Sequence, residues 1–313
     1  MRLGIDIGGT KTAAVVLGPE GDVLGSATAP SGRGAHDVVA QAAHVARLAM
    51  AHVGGGGAIT SAGVCIPGLV DPALGTVRHA VNLAVDHLDV RADLGAALGI
   101  DVAVENDVKA AALGAHHLSG LGDDETLAYL NLGTGLAAAV VHAGQVVRGI
   151  DGVAGEIGHL PVGGGTVCAC GQTGCLETVA SGSALVRMWP DAAAHGWDVM
   201  AAARRGDPAA VRAAESLSRG IALAVQVLVV ASGAQTVVAS GGLTQLGQPL
   251  LDSVRSEQRA RAAESPFLAS LHLDERLAFL AYDVPVAAIG AAYLGRAVAA
   301  VVPGQEGSAA WRS

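Results

Sequence analysis

Residues 3–25 of the chain read LGIDIGGTKTAAVVLGPEGDVLG. Alternating apolar and β-branched residues predict a strand, a glycine turn, a second strand, another turn and a third strand. At the turn Gly8-Gly9-Thr10, backbone amides can approach phosphate oxygens because the glycines carry no Cβ atom. Asp6 precedes this turn and is suitably placed to hold Mg²⁺ directly or through water. A plain hairpin would show a similar pattern, so this stretch alone leaves both interpretations open.

Residues 127–149, LAYLNLGTGLAAAVVHAGQVVRG, repeat the same plan at a constant offset along the chain. The matched positions are Asp6 with Asn131, Gly8 with Gly133, and Ala13-Ala14-Val15-Val16 with Ala138-Ala139-Val140-Val141. Such a repeat predicts two related domains that each present a glycine turn to a shared cleft, where a nucleotide could be held between lobes. A third glycine turn, Gly241-Gly242, could face an adenosine or simply end a strand.

The rest of the chain alternates helical and strand-like segments, which indicates an α/β protein. It has 313 residues, 51% of them hydrophobic and 15% charged, and this length is comfortable for two domains. The predicted helices span residues 35–53, 108–117, 176–189, 198–205, 208–231 and 285–302, and the predicted strands span 61–66, 101–105, 236–240 and 274–282.

Three of the four cysteines and one histidine lie close together within residues 151–181. The four side chains are His159, Cys168, Cys170 and Cys175. One imidazole and three thiolates form the closed tetrahedral set expected of a structural zinc site rather than an open catalytic one. A reduced, metal-free turn or a disulfide is the alternative, but three clustered cysteines cannot all pair among themselves, and Cys65 lies far upstream. The sequence therefore favours zinc.

Glu156 and Glu177 flank these ligands, one just before His159 and the other just after Cys175. A loop tied by zinc would fix both carboxylates and the second ring nitrogen of His159 around one space. Glu177 could also open a helix, where a carboxylate suits the positive end of the helix dipole. The two roles are compatible.

Asn106 and Asp107 lie where a predicted strand ends and a predicted helix begins, which is where α/β proteins usually place ligand-binding groups. Asp107 could act as general base on a substrate hydroxyl, and Asn106 could hydrogen-bond a neighbouring hydroxyl. Asn and Asp are also favoured residues at helix N-caps. This segment alone favours capping over catalysis.

Charge and patterning bear on location and partners. The net charge of −9 argues against sequence-independent nucleic-acid binding. The uncharged run at residues 221–248 is broken at Gly233, which predicts a helix followed by a strand rather than a membrane span. The chain opens on a strand-like stretch, so we expect no secretory signal. Reduced thiols and metal use add to the expectation of a cytoplasmic protein.

Several motifs occur in an order that resembles the ROK family of sugar kinases and repressors, most closely its bacterial glucokinase branch. They are Asp6-Ile7-Gly8-Gly9-Thr10-Lys11, Pro67-Gly68, Glu105-Asn106-Asp107, Leu132-Gly133-Thr134-Gly135, Gly155-Glu156-Ile157-Gly158-His159 and Cys168-x-Cys170-Gly171-x-x-Gly174-Cys175-Leu176-Glu177. The resemblance runs from Leu3 to about Ala299, and the cysteine motif with its upstream Glu-x-Gly-His is its most specific part.

The resemblance implies an α/β, actin-like and ribonuclease-H-like fold of two lobes, with ATP and sugar in the cleft between the lobes. We expect residues 1–117 to form the N-terminal lobe and residues 118–284 to form the C-terminal lobe with the zinc loop. The helix near residues 285–302 is expected to pack back on the first lobe. Proteins of this kind are commonly homodimers or homotetramers.

The resemblance also assigns site residues. It makes Asp107 the catalytic base that deprotonates the sugar 6-hydroxyl, which revises the capping interpretation of this residue. The implied sugar-binding residues are Gly68, Asn106, Asp107, Glu156, His159 and Glu177. The implied ATP and Mg²⁺ site consists of Asp6, Gly8, Gly9, Thr10, Lys11, Gly133, Thr134, Gly135, Gly241 and Gly242. The implied structural zinc ligands are His159, Cys168, Cys170 and Cys175.

The implied activity is ATP-dependent phosphorylation of a hexose, with glucose first. N-acetylmannosamine, N-acetylglucosamine, allose and fructose are alternative substrates within the family, and polyphosphate is a conceivable donor. The repressors of the family carry a helix-turn-helix domain before the kinase-like body; here the first hairpin starts at Leu3, so we expect an enzyme that does not bind nucleic acid. A sugar sensor without catalysis is disfavoured because Asp6, Asp107 and the glycine turns are present.

Overall fold

The computed structural model describes residues 1–53, 58–122, 124–195 and 198–295. Its strands, in chain order, are β1 (Arg2–Ile7), β2 (Lys11–Leu17), β3 (Val23–Pro30), β4 (Ser61–Ile66), β5 (Leu69–Asp71), β6 (Thr76–Ala80), β7 (Val85–Asp89), β8 (Val102–Asn106), β9 (Thr126–Leu132), β10 (Leu136–His142), β11 (Gln145–Val147), β12 (Thr236–Ser240) and β13 (Leu277–Phe279). Its helices are α1 (Ala35–Ala51), α2 (Val90–Leu98), α3 (Asp107–Ser119), α4 (Gly182–Met188), α5 (Val199–Arg204), α6 (Pro208–Ser232), α7 (Gly247–Glu264), α8 (Pro266–Ser270), α9 (Leu273–Arg276) and α10 (Val286–Leu294).

Two five-stranded sheets share one topology. Their strand orders are β3-β2-β1-β4-β8 and β11-β10-β9-β12-β13. In each sheet the first three strands along the chain are antiparallel neighbours, and the last two run parallel to the central strand. The internal repeat predicted from the sequence is therefore confirmed as two related α/β units. A separate three-stranded sheet, β5-β6-β7, is inserted in the first unit.

The second hairpin pairs one residue out of step with the first. Asp6 lies opposite Ala13 in the first hairpin, whereas Asn131 lies opposite Ala137 in the second. The predicted match of Ala13 with Ala138 is therefore wrong by one position, and so is the match of the three residues that follow. The cause is a glycine turn that is one residue shorter, and a shift of one residue exchanges the two faces of a strand.

Each sheet buries its outer face under helices of its own half. Helices α1 and α2 cover the first sheet, and α6 and α7 cover the second. The buried side chains are mostly Ala, Val and Leu. Removal of this apolar surface from water is the main contribution to the stability of both halves.

Helices α3 and α10 cross between the sheets, each on the sheet of the opposite half. Helix α3 follows β8 but packs on β9 and β10, and α10 follows β13 but packs on β1 and β4. Gly114 and Gly290 allow the helices to touch through their backbones, since a Cβ on Gly290 would overlap the carbonyl oxygen of Ala110. The described part of the C-terminal helix thus lies against the first sheet.

Helix α6 and strand β12 account for the long uncharged run. Asp207 caps α6 by accepting hydrogen bonds from the amides of Ala209 and Ala210, and Gly233, with φ of 70°, ends it. Strand β12 follows, which confirms the predicted helix and strand. Among the described residues, α6 is the one helix long and apolar enough to cross a membrane, and 61% of its most apolar window is buried inside the molecule.

Three predicted elements differ from the structure. Residues 176–189 do not form one helix, because a 3-10 turn at Leu176–Thr178 precedes α4. Ser181 is the N-cap of α4, and its hydroxyl accepts a hydrogen bond from the Ala184 amide. Residues 274–282 do not form one strand. Helix α9 ends at Arg276, and strand β13, at the edge of the sheet, has only three paired residues. The predicted helix at 285–302 is α10 up to Leu294, and its part from residue 296 onward lies outside the described residues.

Candidate active site

A cavity of about 560 Å³ lies between the two sheets, at the carboxyl ends of their central strands. This is where open α/β sheets place ligands. Its lining includes Asp6, Gly8, Lys11, Asp107, Tyr129, Asn131, Ser240 and Tyr282. Asp6 and Asn131, the matched residues of the repeat, therefore face one space, as the predicted shared cleft requires.

Asp6 and Asp107 bring two carboxyl groups to this cavity. Burial raises the pKa of Asp6 to about 6, and the negative charge of Asp107 adds to the increase. Burial also raises the pKa of Asp107, against the opposing effects of backbone amides and Lys109. Two partly buried carboxyl groups that face one space and have raised pKa values are a favourable place for a hard cation such as Mg²⁺, which prefers oxygen ligands.

Asn106 and Asp107 take different roles at the start of α3. Asn106 is the N-cap, and its Oδ1 accepts hydrogen bonds from the Val108 amide at 3.0 Å and the Lys109 amide at 3.3 Å. Asp107 is the first residue of the helix, and its side chain lines the cavity. The capping interpretation is therefore correct for Asn106, and Asp107 faces the space where a substrate would bind.

Glu105 ties this segment to the other half of the molecule. Its carboxylate is almost fully buried and accepts hydrogen bonds from the Asn106 amide at 2.9 Å and from Arg148 Nε at 2.7 Å. Nearby, Lys109 Nζ donates to the carbonyl oxygen of Gly152 at 2.9 Å. These contacts hold the start of α3 against residues 148–152 of the other half.

A larger cavity, of about 1020 Å³, lies beside the second glycine turn. Its lining includes Gly133, Thr134, Gly182, Ser183, Asp198, Gly242, Gln245, Leu246 and Tyr282. The Gly182 amide donates to the Gly133 carbonyl at 2.8 Å, and the Ser183 amide donates to the Thr134 carbonyl at 3.0 Å. Because Tyr282 lines both cavities, the larger space adjoins the one that holds the two aspartates.

The four predicted metal ligands converge in the zinc loop, residues 159–175. Their ligand atoms all lie within 4.8 Å of one another, and all four cysteines of the chain are free thiols, so the disulfide alternative is not realised. The Cys170 and Cys175 sulfurs are 3.7 Å apart, and His159 Nδ1 is 3.7 Å from the Cys168 sulfur. A tetrahedral zinc site with Zn–S distances of roughly 2.3 Å has sulfur atoms roughly 3.8 Å apart, so this set fits Zn²⁺.

The two flanking glutamates lie on different sides of this loop. His159 turns Nδ1 towards the thiols, and its Nε2 lies 4.0 Å from Glu156 Oε2. Glu177 Oε2 accepts a hydrogen bond from the Leu136 amide at 3.0 Å, and Glu177 Oε1 accepts one from the Cys168 thiol at 3.7 Å. Glu177 thus connects the zinc loop to the second glycine turn.

Some of the predicted binding residues line neither of these two cavities. They are Gly9, Thr10, Gly68, Asn106, Gly135, Glu156, His159, Glu177 and Gly241. Two of the glycines have a packing role. A Cβ on Gly135 would overlap Glu177 Oε2, and one on Gly241 would lie 2.6 Å from the Leu132 backbone. Gly68 follows strand β4, whose last residue, Ile66, is paired with Asn106.

The sequence reasoning missed several residues that the structure brings to the cavities. They are the hydroxyl pair Tyr129 and Ser240, Tyr282, Ser183 and Gln245. The ion pair of Glu105 and Arg148, which lines neither cavity, was missed as well. Most of these are single polar residues in apolar segments and carry no motif. One signal was present for Tyr129: it stands where the first copy of the repeat has Gly4, in a strand that is otherwise largely aliphatic.

Comparison with known proteins places this architecture. The sequence profile described as the ROK family matches residues 2–297. The glucokinase of Streptomyces coelicolor is 31% identical over 284 residues, covering 83% of this chain and 87% of that protein. The crystal structure of the ROK hexokinase from Thermus thermophilus has a TM-score of 0.75 at 30% identity and covers 94% of this chain and 97% of that one. A ROK family glucokinase from Streptomyces griseus, solved in complex with glucose and AMPPNP, has a TM-score of 0.74 at 29% identity and covers 94% of this chain and 99% of that one.

Proposed function

The chain belongs to the ROK family, and on that premise we propose that it is an ATP-dependent hexokinase that phosphorylates the 6-hydroxyl of glucose. One observation carries the proposal: Asp107, at the start of α3, shares a cavity with Asp6 between the two glycine-turn hairpins. The Streptomyces griseus relative, which was solved with glucose and AMPPNP, supports both proposed substrates.

Asp107 is the proposed general base. Burial raises the pKa of the Asp107 carboxyl towards neutral pH, and a general base is most effective when its pKa lies near the working pH. As the 6-hydroxyl oxygen forms its bond to the γ-phosphorus, its proton passes to an Asp107 oxygen, and the bond from phosphorus to the bridging oxygen of ADP breaks. Most of the remaining acceleration comes from holding these atoms in line.

The nucleotide is proposed to occupy the larger cavity, with its phosphates directed towards the smaller one. The adenosine would lie near Gly242, Gln245 and Tyr282, and the phosphates would meet the backbone amides of the turn at Gly133 and Thr134. Asp6 would hold Mg²⁺, which when bound neutralises charge on the transferred phosphoryl group. Gly9, Thr10, Lys11, Gly135 and Gly241 complete the proposed phosphate-binding turns.

The sugar is proposed to lie on the other side of Asp107, towards the zinc loop. The Asn106 amide group, Glu156 and His159 Nε2 would bind hydroxyl groups, with Gly68 and Glu177 completing the site. A site rich in carboxylates and amides suits a polyol, because its buried polar groups would be left unpaired by a sugar with the wrong hydroxyl pattern. Zn²⁺ on His159, Cys168, Cys170 and Cys175 would hold this wall in place.

The remaining parts of the proposal concern assembly and location. Residues 1–117 and 118–284 are the proposed lobes. We propose a homodimer or homotetramer in the cytoplasm, without a nucleic-acid partner. The acidic net charge of −9 supports the last point.

A coupled ADP-release assay tests the activity, with ATP, Mg²⁺ and a panel of glucose, N-acetylmannosamine, N-acetylglucosamine, allose and fructose. The proposal predicts turnover with glucose at the highest kcat/KM. Turnover confined to another sugar would keep the kinase and overturn the substrate. If no sugar is phosphorylated with ATP or with polyphosphate while glucose still binds by calorimetry, the enzyme proposal is overturned in favour of a sugar sensor.

A further inference from the structure

The two halves differ at one equivalent pair of residues on neighbouring strands. In the first half, Gly4 and Gly63 lie on neighbouring strands, and a Cβ on either would overlap the backbone of α10. In the second half the equivalent neighbours are Tyr129 and Val238. The backbone of helix α10 thus packs directly on Gly4 and Gly63 of the first sheet. On the second sheet, the side chain of Tyr129, with its polar hydroxyl group, occupies the position that corresponds to Gly4.

Tyr129 forms a hydroxyl pair on the floor of the cavity. Its hydroxyl group is hydrogen-bonded to the Ser240 hydroxyl, which comes from the neighbouring strand β12. Tyr129 is only 3% exposed, yet both residues line the cavity together with Asp6 and Asp107. Two hydroxyl groups therefore line the same cavity as the two carboxyl groups.

The Tyr129 phenol is uncharged at neutral pH and can therefore donate a hydrogen bond. Burial raises the pKa of Tyr129 to about 12, and the negative charges of Asp107 and Asp6 add to the increase. The phenol therefore stays protonated throughout the neutral range. Either hydroxyl of the pair could donate to the other, so when Ser240 donates to Tyr129, the Tyr129 proton is available to a group in the cavity.

We propose that Tyr129 is a further catalytic residue, whose hydroxyl donates a hydrogen bond to a non-bridging oxygen of the phosphoryl group in transfer, and that Ser240 is the positioning residue that orients it. This assignment rests on the proposed kinase function. The phenol keeps its proton throughout: the oxygen–phosphorus bond to the sugar forms, the bond to ADP breaks, and the sugar proton goes to Asp107. Donors fixed in a dry site act on charge that develops in the transition state.

The test compares Tyr129→Phe, Ser240→Ala and the double variant with the wild-type enzyme. Tyr129→Phe is expected to reduce kcat about 10- to 100-fold, while KM for glucose and for ATP changes less than about threefold. Ser240→Ala is expected to reduce kcat less than Tyr129→Phe does. The double variant is expected to have the same kcat as Tyr129→Phe, because Ser240 acts only by orienting the Tyr129 hydroxyl, which Tyr129→Phe already removes. Inhibition by Mg·ADP with aluminium fluoride and glucose should weaken by the same factor as kcat.

Ser253→Ala is the matched control. It removes another hydroxyl–hydroxyl bond of the second half, between Ser218 and Ser253 at 2.8 Å, which lines neither cavity. It should leave kcat and the aluminium fluoride inhibition unchanged. Wild-type kcat in Tyr129→Phe would overturn the assignment, as would a loss matched by equal weakening of glucose binding. If the wild-type enzyme phosphorylates no sugar, the proposed function itself fails, and this is distinct from an active enzyme that does not need the Tyr129 hydroxyl.

Discussion

The two halves of the chain present the same hairpin to the cleft with different chemistry. Asp6 and Asn131 occupy equivalent positions at the ends of β1 and β9, and both line the same cavity. One is a partly buried carboxyl whose pKa is raised to about 6, and the other is an uncharged amide. The repeat thus supplies one position that can hold a cation and one that can bind phosphate oxygens without repelling them.

The difference extends to the turns themselves. The first turn is followed by Lys11, and its Gly9 packs against Asn82. The second turn is one residue shorter, and Glu177 accepts a hydrogen bond from the Leu136 amide that follows it. A duplicated fold can therefore diverge in function without changing its strand order. We infer a division of labour in which the first half holds Mg²⁺ and the second half holds the nucleotide.

The largest effect is expected at Asp107, which lies between the halves and has no counterpart in the repeat motif. Asp107→Asn keeps the shape and removes the base, so kcat should fall by about 10²- to 10⁴-fold. Glucose binding, measured by calorimetry, should change little because the cap residue Asn106 is untouched. Near-normal turnover in this variant would remove Asp107 from the catalytic step.

Removal of zinc tests whether the second half depends on its metal loop. Because His159 is a predicted ligand and Glu177 supports the second turn, stripping the metal should weaken glucose binding about 10- to 100-fold and should also weaken AMPPNP binding. Metal analysis with calorimetry before and after re-addition of Zn²⁺ makes the measurement. A purified protein with far less than one zinc per chain and full affinity would contradict the zinc assignment.

The pH dependence tests the carboxyl that only the first half carries. Mg²⁺ binding requires ionised Asp6, so kcat/KM for ATP should fall about tenfold per pH unit below the Asp6 pKa of about 6. Burial also raises the pKa of Asp107, so the two carboxyl groups titrate as a coupled pair. Stability should show the opposite sign. Because folding raises the Asp6 pKa, its contribution to stability is present below the ordinary value near 3.8 and is lost as pH rises through about 6.

Asp6→Asn supplies the control for both effects. The stability difference between the variant and the wild type should grow with pH across this window, on the order of 2–3 kcal/mol in total. Denaturant unfolding at a series of pH values measures it. A difference that stays constant from pH 4 to pH 7 would mean that the pKa of Asp6 is not raised.

The smallest effect is expected from one substitution made in both turns. A Cβ on Gly8 would lie 2.8 Å from the Lys11 carbonyl oxygen, whereas one on Gly133 would lie 3.5 Å from the Asn131 side chain. Gly8→Ala should therefore lower the free energy of unfolding by about 1–3 kcal/mol, and Gly133→Ala by less than about 0.5 kcal/mol. Equal losses in the two variants would show that the turns are packed alike.

The sequence predicted the two α/β units and the metal ligands because both have strong local signals. Asp6 and Asn131 end apolar strands, and cysteine spacing is rare by chance. The register of the second hairpin was not predictable, since a run of small apolar residues such as Ala137 to Val141 tolerates a slip of one position. Tyr129 and Ser240 were missed because their pairing depends on which strands become neighbours. Glu105 lay in a quoted motif, but its partner Arg148 is distant in sequence.

The division of labour is tested most directly by the effect of Mg²⁺ on nucleotide affinity. Calorimetry with AMPPNP, with and without Mg²⁺, is carried out on the wild type, Asp6→Asn and Asn131→Asp. We expect Mg²⁺ to strengthen AMPPNP binding to the wild type, and we expect Asp6→Asn to lose most of that gain. Asn131→Asp should weaken AMPPNP binding without Mg²⁺, because it adds a negative charge beside the phosphates. An Asp6→Asn variant that keeps the full gain from Mg²⁺ would contradict the assignment of the metal to the first half.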